Sequence, residues 1–526
     1  MTTTPAGWRR LTATVALTLV GFGTPARADY QLAQEILESG TLGGTRGLRV
    51  RRIGAGSAAF SKNGSFVYYP ASSLKILEHY YAMTRVQAGV WTLGGTTAAV
   101  CPADNDNCGP VLNAVSGCGA VATPLDDTLS AMMVPSSNEA TNAIQERVGT
   151  TYFPPVNPFI LNMSQFGRLL INEFASSIGM TSSAVNHKFG CQGFCGNPAP
   201  NALTLVDAER LYKSIATDTT LLSPALRVQL HDLMVNESGS FLDDIIDEEA
   251  ASTGKSAWKE DFRDLFFQIY KAGSWHCSGK SYLPISGLVQ LPTYNGAHKQ
   301  LYTWGVFAHD TESDFYLDGT VGNASRELLR LPIRAALLTW GFDYTVAVQV
   351  GGIGEAIGQL PSSGSPAASA LNEAAASLYA ARDVLDREPR DYAAAFSLLR
   401  QGVDWLESAR RLDPKLVSDQ LTRRLLAVTH EAAVDVVAYA TMTSKASILA
   451  EAVTEMERGI RRARGLAGQG AFGAAAREYV AVAARGNPLI EWGDRGTPFG
   501  DPDVGFSAIS GRERTAPPPP QSPGEP

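Results

Sequence analysis

Apolar residues along this chain change rhythm several times, and each change marks an element. Residues 48–70 read as paired strands, with Leu48-Arg49-Val50 and Ser65 to Tyr69 flanking a turn signal at Lys62-Asn63-Gly64. Pro70 closes the second run, and Ser72 to Val86 follow as a helix with Leu74, Leu77 and Tyr81 on one face. From about 125 to 235 the spacing is mostly helical: Leu129 to Met133, Ala140 to Val148, Leu203 to Ile215 and Leu221 to Val235. The Gly-, Pro- and Cys-rich stretch Asn186 to Pro200 is a loop, and the acidic run Glu237 to Lys259 reads as a solvated excursion. Three strand-like runs follow, Phe266 to Gly273, Ser286 to Leu291 and Gln300 to Ala308, with Tyr294-Asn295-Gly296 as a hairpin turn between the last two. Ala324 to Trp340 then predicts a helix whose apolar face carries Leu328, Leu331, Ile333 and Leu337. The order predicts an α/β (α+β) domain, an antiparallel five-stranded sheet flanked by helices, with the first and last helices packed together on one face.

Pro361-Ser362-Ser363-Gly364-Ser365-Pro366 is a linker by composition. Beyond it the chain is alanine-rich, and Tyr392, Phe396, Leu399, Val403 and Leu406 keep a helical rhythm. Asp391-Tyr392 and Ala471-Phe472 open similar segments, faintly like tetratricopeptide helices but too dissimilar to count as a repeat. The predicted divisions are a sheet-and-helix domain over 29–350, a linker over 351–366, an all-α region over 367–490 and a disordered Pro-rich tail over 491–526.

Arg9-Arg10, the apolar run Leu11 to Phe22 and Ala26-Arg27-Ala28 read as a signal peptide over 1–28, too short to anchor in a bilayer, and predict a secreted, periplasmic or cell-envelope protein. Six cysteines, Cys101, Cys108, Cys118, Cys191, Cys195 and Cys277, agree with disulfides in an oxidising compartment; sequence leaves their pairing open. Their spacing does not make a metal site, and neither a metal nor a cofactor is expected. A net charge of −8 argues against a nucleic-acid partner.

Three motifs carry the chemistry: Ser72-Ser73-Leu74-Lys75, Ser136-Ser137-Asn138 and Lys271-Ala272-Gly273. Ser-x-x-Lys recurs at Ser252 to Lys255 and Ser256 to Lys259, so it means little alone; only Ser72 has both partners downstream at workable distances. Singly, Ser72 and Ser136 could be helix caps and Lys271 a solvated strand lysine. In this order, with these helix, loop and strand contexts, the three read as one active site. Ser72 starts a helix, where free N–H groups favour developing negative charge, and Lys75 shares its face one turn on.

That arrangement resembles the penicillin-recognising serine enzymes, the family of serine β-lactamases and D-alanyl-D-alanine peptidases. Pro70-Ala71 before the serine, Leu222-Ser223-Pro224 and the run Gln229 to Met234 also look like the β-lactamase pattern, and the resemblance covers about 45–345. It implies the β-lactamase/transpeptidase-like fold and an acyl-enzyme at Ser72. It makes Lys75 the base, its proton affinity lowered by burial and by Lys271, which also attracts an anionic substrate. Ser136 would relay the proton, Asn138 would hold the substrate amide, and the N–H groups of Ser72 and Ser274 would form the oxyanion hole beside Gly273.

Two departures bear on substrate and rate. Class A members of the family carry a deacylating glutamate on the loop before the Leu203 helix, yet Phe174 to Val206 contains no acid. His187 is the titratable substitute there, although a lone loop histidine reads first as structural, as does His276. The family's Lys-Thr-Gly is Lys-Ala-Gly here, so Ala272 lacks the hydroxyl that helps bind a substrate carboxylate, a role left to Ser274. The expected substrate is a small-molecule β-lactam or a peptidoglycan-type D-Ala-D-Ala-like peptide. The alternatives are a slowly deacylating D-alanyl-D-alanine carboxypeptidase, or a degenerate binding module whose C-terminal helices meet a protein partner.

Overall fold

The computed structural model describes residues 29–39, 43–95, 97–100, 121–152, 163–190, 200–234, 242–292, 299–312, 317–360, 364–385, 391–443 and 447–494. Helix α1 (Asp29–Glu38) leads into β1 (Thr45–Arg52) and β2 (Phe60–Lys62), and a 3₁₀ turn, Ala71–Leu74, runs into α2 (Lys75–Gln87). A two-stranded ribbon, β3 (Thr97–Val100) with β4 (Val121–Pro124), precedes α3 (Leu125–Met133), α4 (Asn138–Tyr152), α5 (Met163–Ser177), α6 (Leu205–Thr217) and α7 (Pro224–Asp232). Then come α8 (Asp243–Ser252), α9 (Lys259–Leu265), β5 (Phe267–Ala272), β6 (Trp275–Cys277), β7 (Lys280–Pro292), β8 (Lys299–Glu312) and α10 (Leu317–Tyr344). The strands lie in the order β2-β1-β8-β7-β5, with β6 paired to β7, and every pairing is antiparallel. This is the expected sheet with a short extra strand, in a β-lactamase-like fold.

Both faces of the sheet are buried, and the alternation of its side chains divides the core in two. Leu48 and Val50 of β1, Val289 and Leu291 of β7, and Trp304, Val306 and Ala308 of β8 pack with α1, α8 and α10. Phe267 and Ile269 of β5, Leu288 and Phe307 face the other way, against α2 to α6. Lys271 is two residues beyond Ile269, so the pleat sends it toward the helical face that holds α2.

Several expectations need correction. The strand paired with β1 is Phe60–Lys62, not Ser65 to Tyr69. Tyr68 instead exchanges backbone hydrogen bonds with Leu203 (N–O 2.9 and 3.0 Å) and fills the core under α6. The acidic run Glu237 to Lys259 is no solvated excursion, since α8 within it buries Ile245, Ile246 and Ala250. Glu249, 1% exposed, pairs with Arg330 and Arg334 of α10. Its half-exposed neighbour Glu248 pairs with Arg326 and Arg330.

Residues 351–358, expected as linker, are helix. After α10 a π-helical stretch, Thr345–Val350, passes directly into α11 (Gly351–Gly358). There follow α12 (Pro366–Leu385), α13 (Tyr392–Leu412), α14 (Asp419–Thr443), α15 (Ser447–Gly468) and α16 (Phe472–Asp494). Leu338, Phe342 and Val346 share a core with Leu385, Tyr392, Phe396 and Val436, so the closing helix of one region is also a core element of the next. Among the described residues no helix is long and apolar enough to cross a membrane. The signal over 1–28, the turn at Tyr294-Asn295-Gly296, every cysteine except Cys277 and the tail after 494 lie outside the described residues.

Candidate active site

Ser72 sits in the 3₁₀ turn that starts α2, in a backbone bent by the left-handed φ of Ala71 (+42°). The Ser73 N–H and Oγ both donate to the Pro70 carbonyl (2.9 and 2.7 Å). The Ser72 amide comes one residue earlier, ahead of the first hydrogen bond of the turn, as the opening N–H groups of any helix do. Against it lies Gly273, whose own N–H stays in the sheet, donating to Pro284 O at 2.8 Å. A Cβ at Gly273 would stand 2.5 Å from Ser72 N and 2.8 Å from Ser73 N, so only glycine allows this approach. The third motif is thereby pressed onto the first, with Ala272 and Ser274 exposed on either side.

Lys75 is fully buried and donates to Ser136 O (2.5 Å), Asn138 Oδ1 (2.7 Å) and Ser136 Oγ (3.3 Å). Burial lowers its pKa to about 7, and Lys271 pushes the same way while Glu78 and Glu139 oppose. The second motif is thus joined to the first through this amine. Ser136 takes a left-handed φ of +62°, which costs a non-glycine residue about 1–2 kcal/mol. That bend aims both its carbonyl and its hydroxyl at Lys75. Lys271, 7% exposed, donates to Met133 O (2.8 Å) at the end of α3, and burial lowers its pKa to about 8. The one expected contact not made is Ser72 Oγ with Lys75: among the described residues no hydrogen bond joins them, because the ammonium is spent on Ser136 and Asn138.

The structure adds residues that sequence reasoning passed over. Glu78, one turn past Lys75, is wholly buried; it accepts from Gln145 Nε2 (2.8 Å), and burial raises its pKa to about 8. Gln145 Oε1 in turn accepts from Ser164 Oγ (3.0 Å) and Arg168 (3.2 Å). An acid beside Leu74, Leu77 and Tyr81 on an apolar helix face was the available signal. Phe189 lays its ring 5.5 Å from Lys75 Nζ, roofing the amine with an apolar surface. His187, 5% exposed, stacks on Tyr69, whereas His276 is exposed with Nδ1 2.8 Å from Ser281 Oγ. The decoy motifs are accounted for: Lys255 is buried on Asp435 (2.7 Å), and Lys259 pairs with Asp247 (3.0 Å).

A serine at a helix start, an amine of lowered proton affinity behind it and a Lys-x-Gly strand across it thus come together in this domain. Residues 31–263 match the model of the beta-lactamase enzyme family. The match includes the first two motifs and stops before Lys271. No curated protein matches the chain. Similar solved structures include a beta-lactamase from Chitinophaga pinensis (16% identity, TM-score 0.41, covering 57% of this chain and 97% of that one). A beta lactamase from Xanthomonas campestris is 18% identical, with a TM-score of 0.40 over 58% of this chain and 96% of that one. A class A beta-lactamase from Bacteroides cellulosilyticus is also 18% identical, with a TM-score of 0.42 over 58% and 97%.

Proposed function

We propose that this chain is an exported serine hydrolase that acylates Ser72 with β-lactam or D-Ala-D-Ala-like amides. The observation that carries the reading is Lys75: a fully buried amine with a pKa near 7, bound to Ser136 and Asn138 of the second motif. When it loses a proton it gives up one of three donor bonds and gains a lone pair, which takes the Ser72 proton as Oγ attacks the amide carbonyl. Ser136 Oγ, 3.3 Å from that nitrogen, returns the proton to the departing amide nitrogen. The Ser72 and Ser274 amides receive the oxyanion, and Lys271 offers positive charge to an anionic substrate.

Slow, peptidase-like turnover is supported by the acid-free loop before α6. Asp207, the first acid after it, already accepts from Arg210 (2.9 Å), Ser182 N (2.8 Å) and Ser183 Oγ (2.8 Å), so it cannot serve as a second base. Export rests on the N-terminal basic, apolar and Ala-x-Ala pattern. Fluorescent penicillin is expected to label the wild type and not Ser72→Ala; equal labelling of both, or of neither, refutes the reading. Nitrocefin hydrolysis then separates a fast β-lactamase from a peptidase that keeps its adduct.

A further inference from the structure

Helix α4 carries three amide side chains at helical spacing, Asn138, Asn142 and Gln145, and their contacts put all three on the face toward Lys75. Asn138 Oδ1 accepts from Lys75 Nζ at 2.7 Å. Asn142, one turn on, exchanges hydrogen bonds with the backbone of Phe189 (2.9 and 3.1 Å), whose ring lies over the same amine. Gln145 Nε2, a further turn on, donates to Glu78 Oε1 at 2.8 Å. Glu78 stands three residues past Lys75 on α2, so the two helices are tied at the amine and again one turn deeper.

Gln145 is held from behind as well. Its Oε1 accepts from Ser164 Oγ (3.0 Å) and Arg168 (3.2 Å) of α5, and Arg168 also donates to Ser164 Oγ (2.7 Å). At Gly167, between those two residues, an added Cβ would run into the Gln145 carbonyl oxygen, so α5 lies backbone to backbone on α4. The amide is therefore fixed before it reaches Glu78.

Glu78 and Gln145 are both wholly buried. Glu78 Oε2 is buried too and meets no donor among the described residues, so the carboxyl depends on Gln145. Replacing both members of such a pair with apolar residues of the same shape can be neutral for stability. What a satisfied polar bond adds is direction: it rigidifies one arrangement of the helices where apolar packing would accept several.

We propose that Glu78 and Gln145 are positioning residues whose hydrogen bond sets the register of α4 on α2 and so holds Ser136 and Asn138 at the Lys75 amine. The inference rests on the serine-hydrolase reading above, in which that amine and the Ser136 hydroxyl must meet for proton transfer.

The test is the rate of labelling by fluorescent penicillin across a range of concentrations, which separates the limiting acylation rate from the half-saturating concentration. It compares wild type, Glu78→Leu, Gln145→Leu, the double leucine variant and Glu78→Gln, with melting temperatures beside them. Each leucine variant is expected to lose about 10–10²-fold in limiting rate, the scale of a small misplacement of reacting groups, at a nearly unchanged half-saturating concentration. Each single change strands a buried partner and lowers the melting temperature; the double change restores melting but not rate, and loses no more rate than the singles. Glu78→Gln keeps an acceptor for Gln145 and is expected to recover most of the rate. A double variant that melts and labels like the wild type overturns the inference, and so does a Glu78→Gln as slow as Glu78→Leu. Labelling lost only in step with the unfolded fraction makes the pair structural and overturns it too. All three outcomes leave the acyl-serine reading intact, whereas a wild type that takes no label overturns both.

Discussion

Gly273 is the residue on which the alignment of the first and third motifs depends most directly. Alanine there would force its Cβ to within 2.5 Å of the Ser72 amide, a backbone atom that cannot rotate away. Gly273→Ala is therefore expected to cut the rate of penicillin labelling by two orders of magnitude or more, about what loss of an oxyanion donor costs. A melting curve near wild type beside that loss would place the effect in the site. The two lysines predict a pH profile as well. Lys75 must be neutral to act, so labelling should rise as pH climbs through about 7. Lys271 must be charged to draw an anionic substrate, so labelling should fall as pH passes about 8. A narrow bell in the second-order labelling rate is expected, and a plateau continuing into strong alkali would contradict it. At this scale the three motifs were legible because their chemistry is tied to short spacings. Glu78, Phe189 and the burial of His187 were not, since each depends on which helix or loop folds over α2.

Elements explain why two other Ser-x-x-Lys sequences are silent. Lys255 lies in the turn between α8 and α9, its chain crossing Gly341 of α10, where a Cβ would come within 2.4 Å of it. Its ammonium reaches Asp435 of α14 at 2.7 Å, with both groups buried, and Trp258 covers it at 4.9 Å. Removing one member of such a pair strands the other charge in the interior at about 3–5 kcal/mol, whereas replacing both with apolar residues of similar volume can be neutral. Asp435→Ala leaves Lys255 only the more exposed Glu431 (3.3 Å) and should lower the urea midpoint, and Lys255→Met with Asp435→Leu should recover most of it. Equal losses in the single and double variants would show that the pair is not coupled. The acidic run looked solvated because its charges were counted without partners; Arg330 and Arg334, far along the chain, turn Glu249 inward. Helix and strand rhythms survived that ignorance: β5, β8 and α10 fall close to where the apolar periods placed them, while β7 begins at Lys280, ahead of the expected Ser286.

Across the whole molecule, α10 unites what composition had divided. The stretch Gly351-Gly352-Ile353-Gly354 falls in the expected linker, yet Ile353 and Ile357 are buried in the C-terminal core. At Gly402 of α13 an added Cβ would come within 2.6 Å of the Leu378 side chain, so the small residue serves close packing of α12 on α13. A chain ending at residue 360 would keep Ser72, Lys75 and every other candidate site residue. It would also uncover Leu338, Phe342 and Val346, which now face Leu385, Tyr392, Phe396 and Val436, and would leave Lys255 without Asp435. Exposed apolar helix faces of this kind favour aggregation, and an unpartnered buried ammonium destabilises the domain directly. The shortened chain is therefore expected to melt well below the full one and to lose penicillin labelling in proportion to its unfolded fraction. Labelling and melting that match the full-length protein would mean instead that the C-terminal helices are a passenger on α10, and that the sheet domain's stability ends with its own two cores.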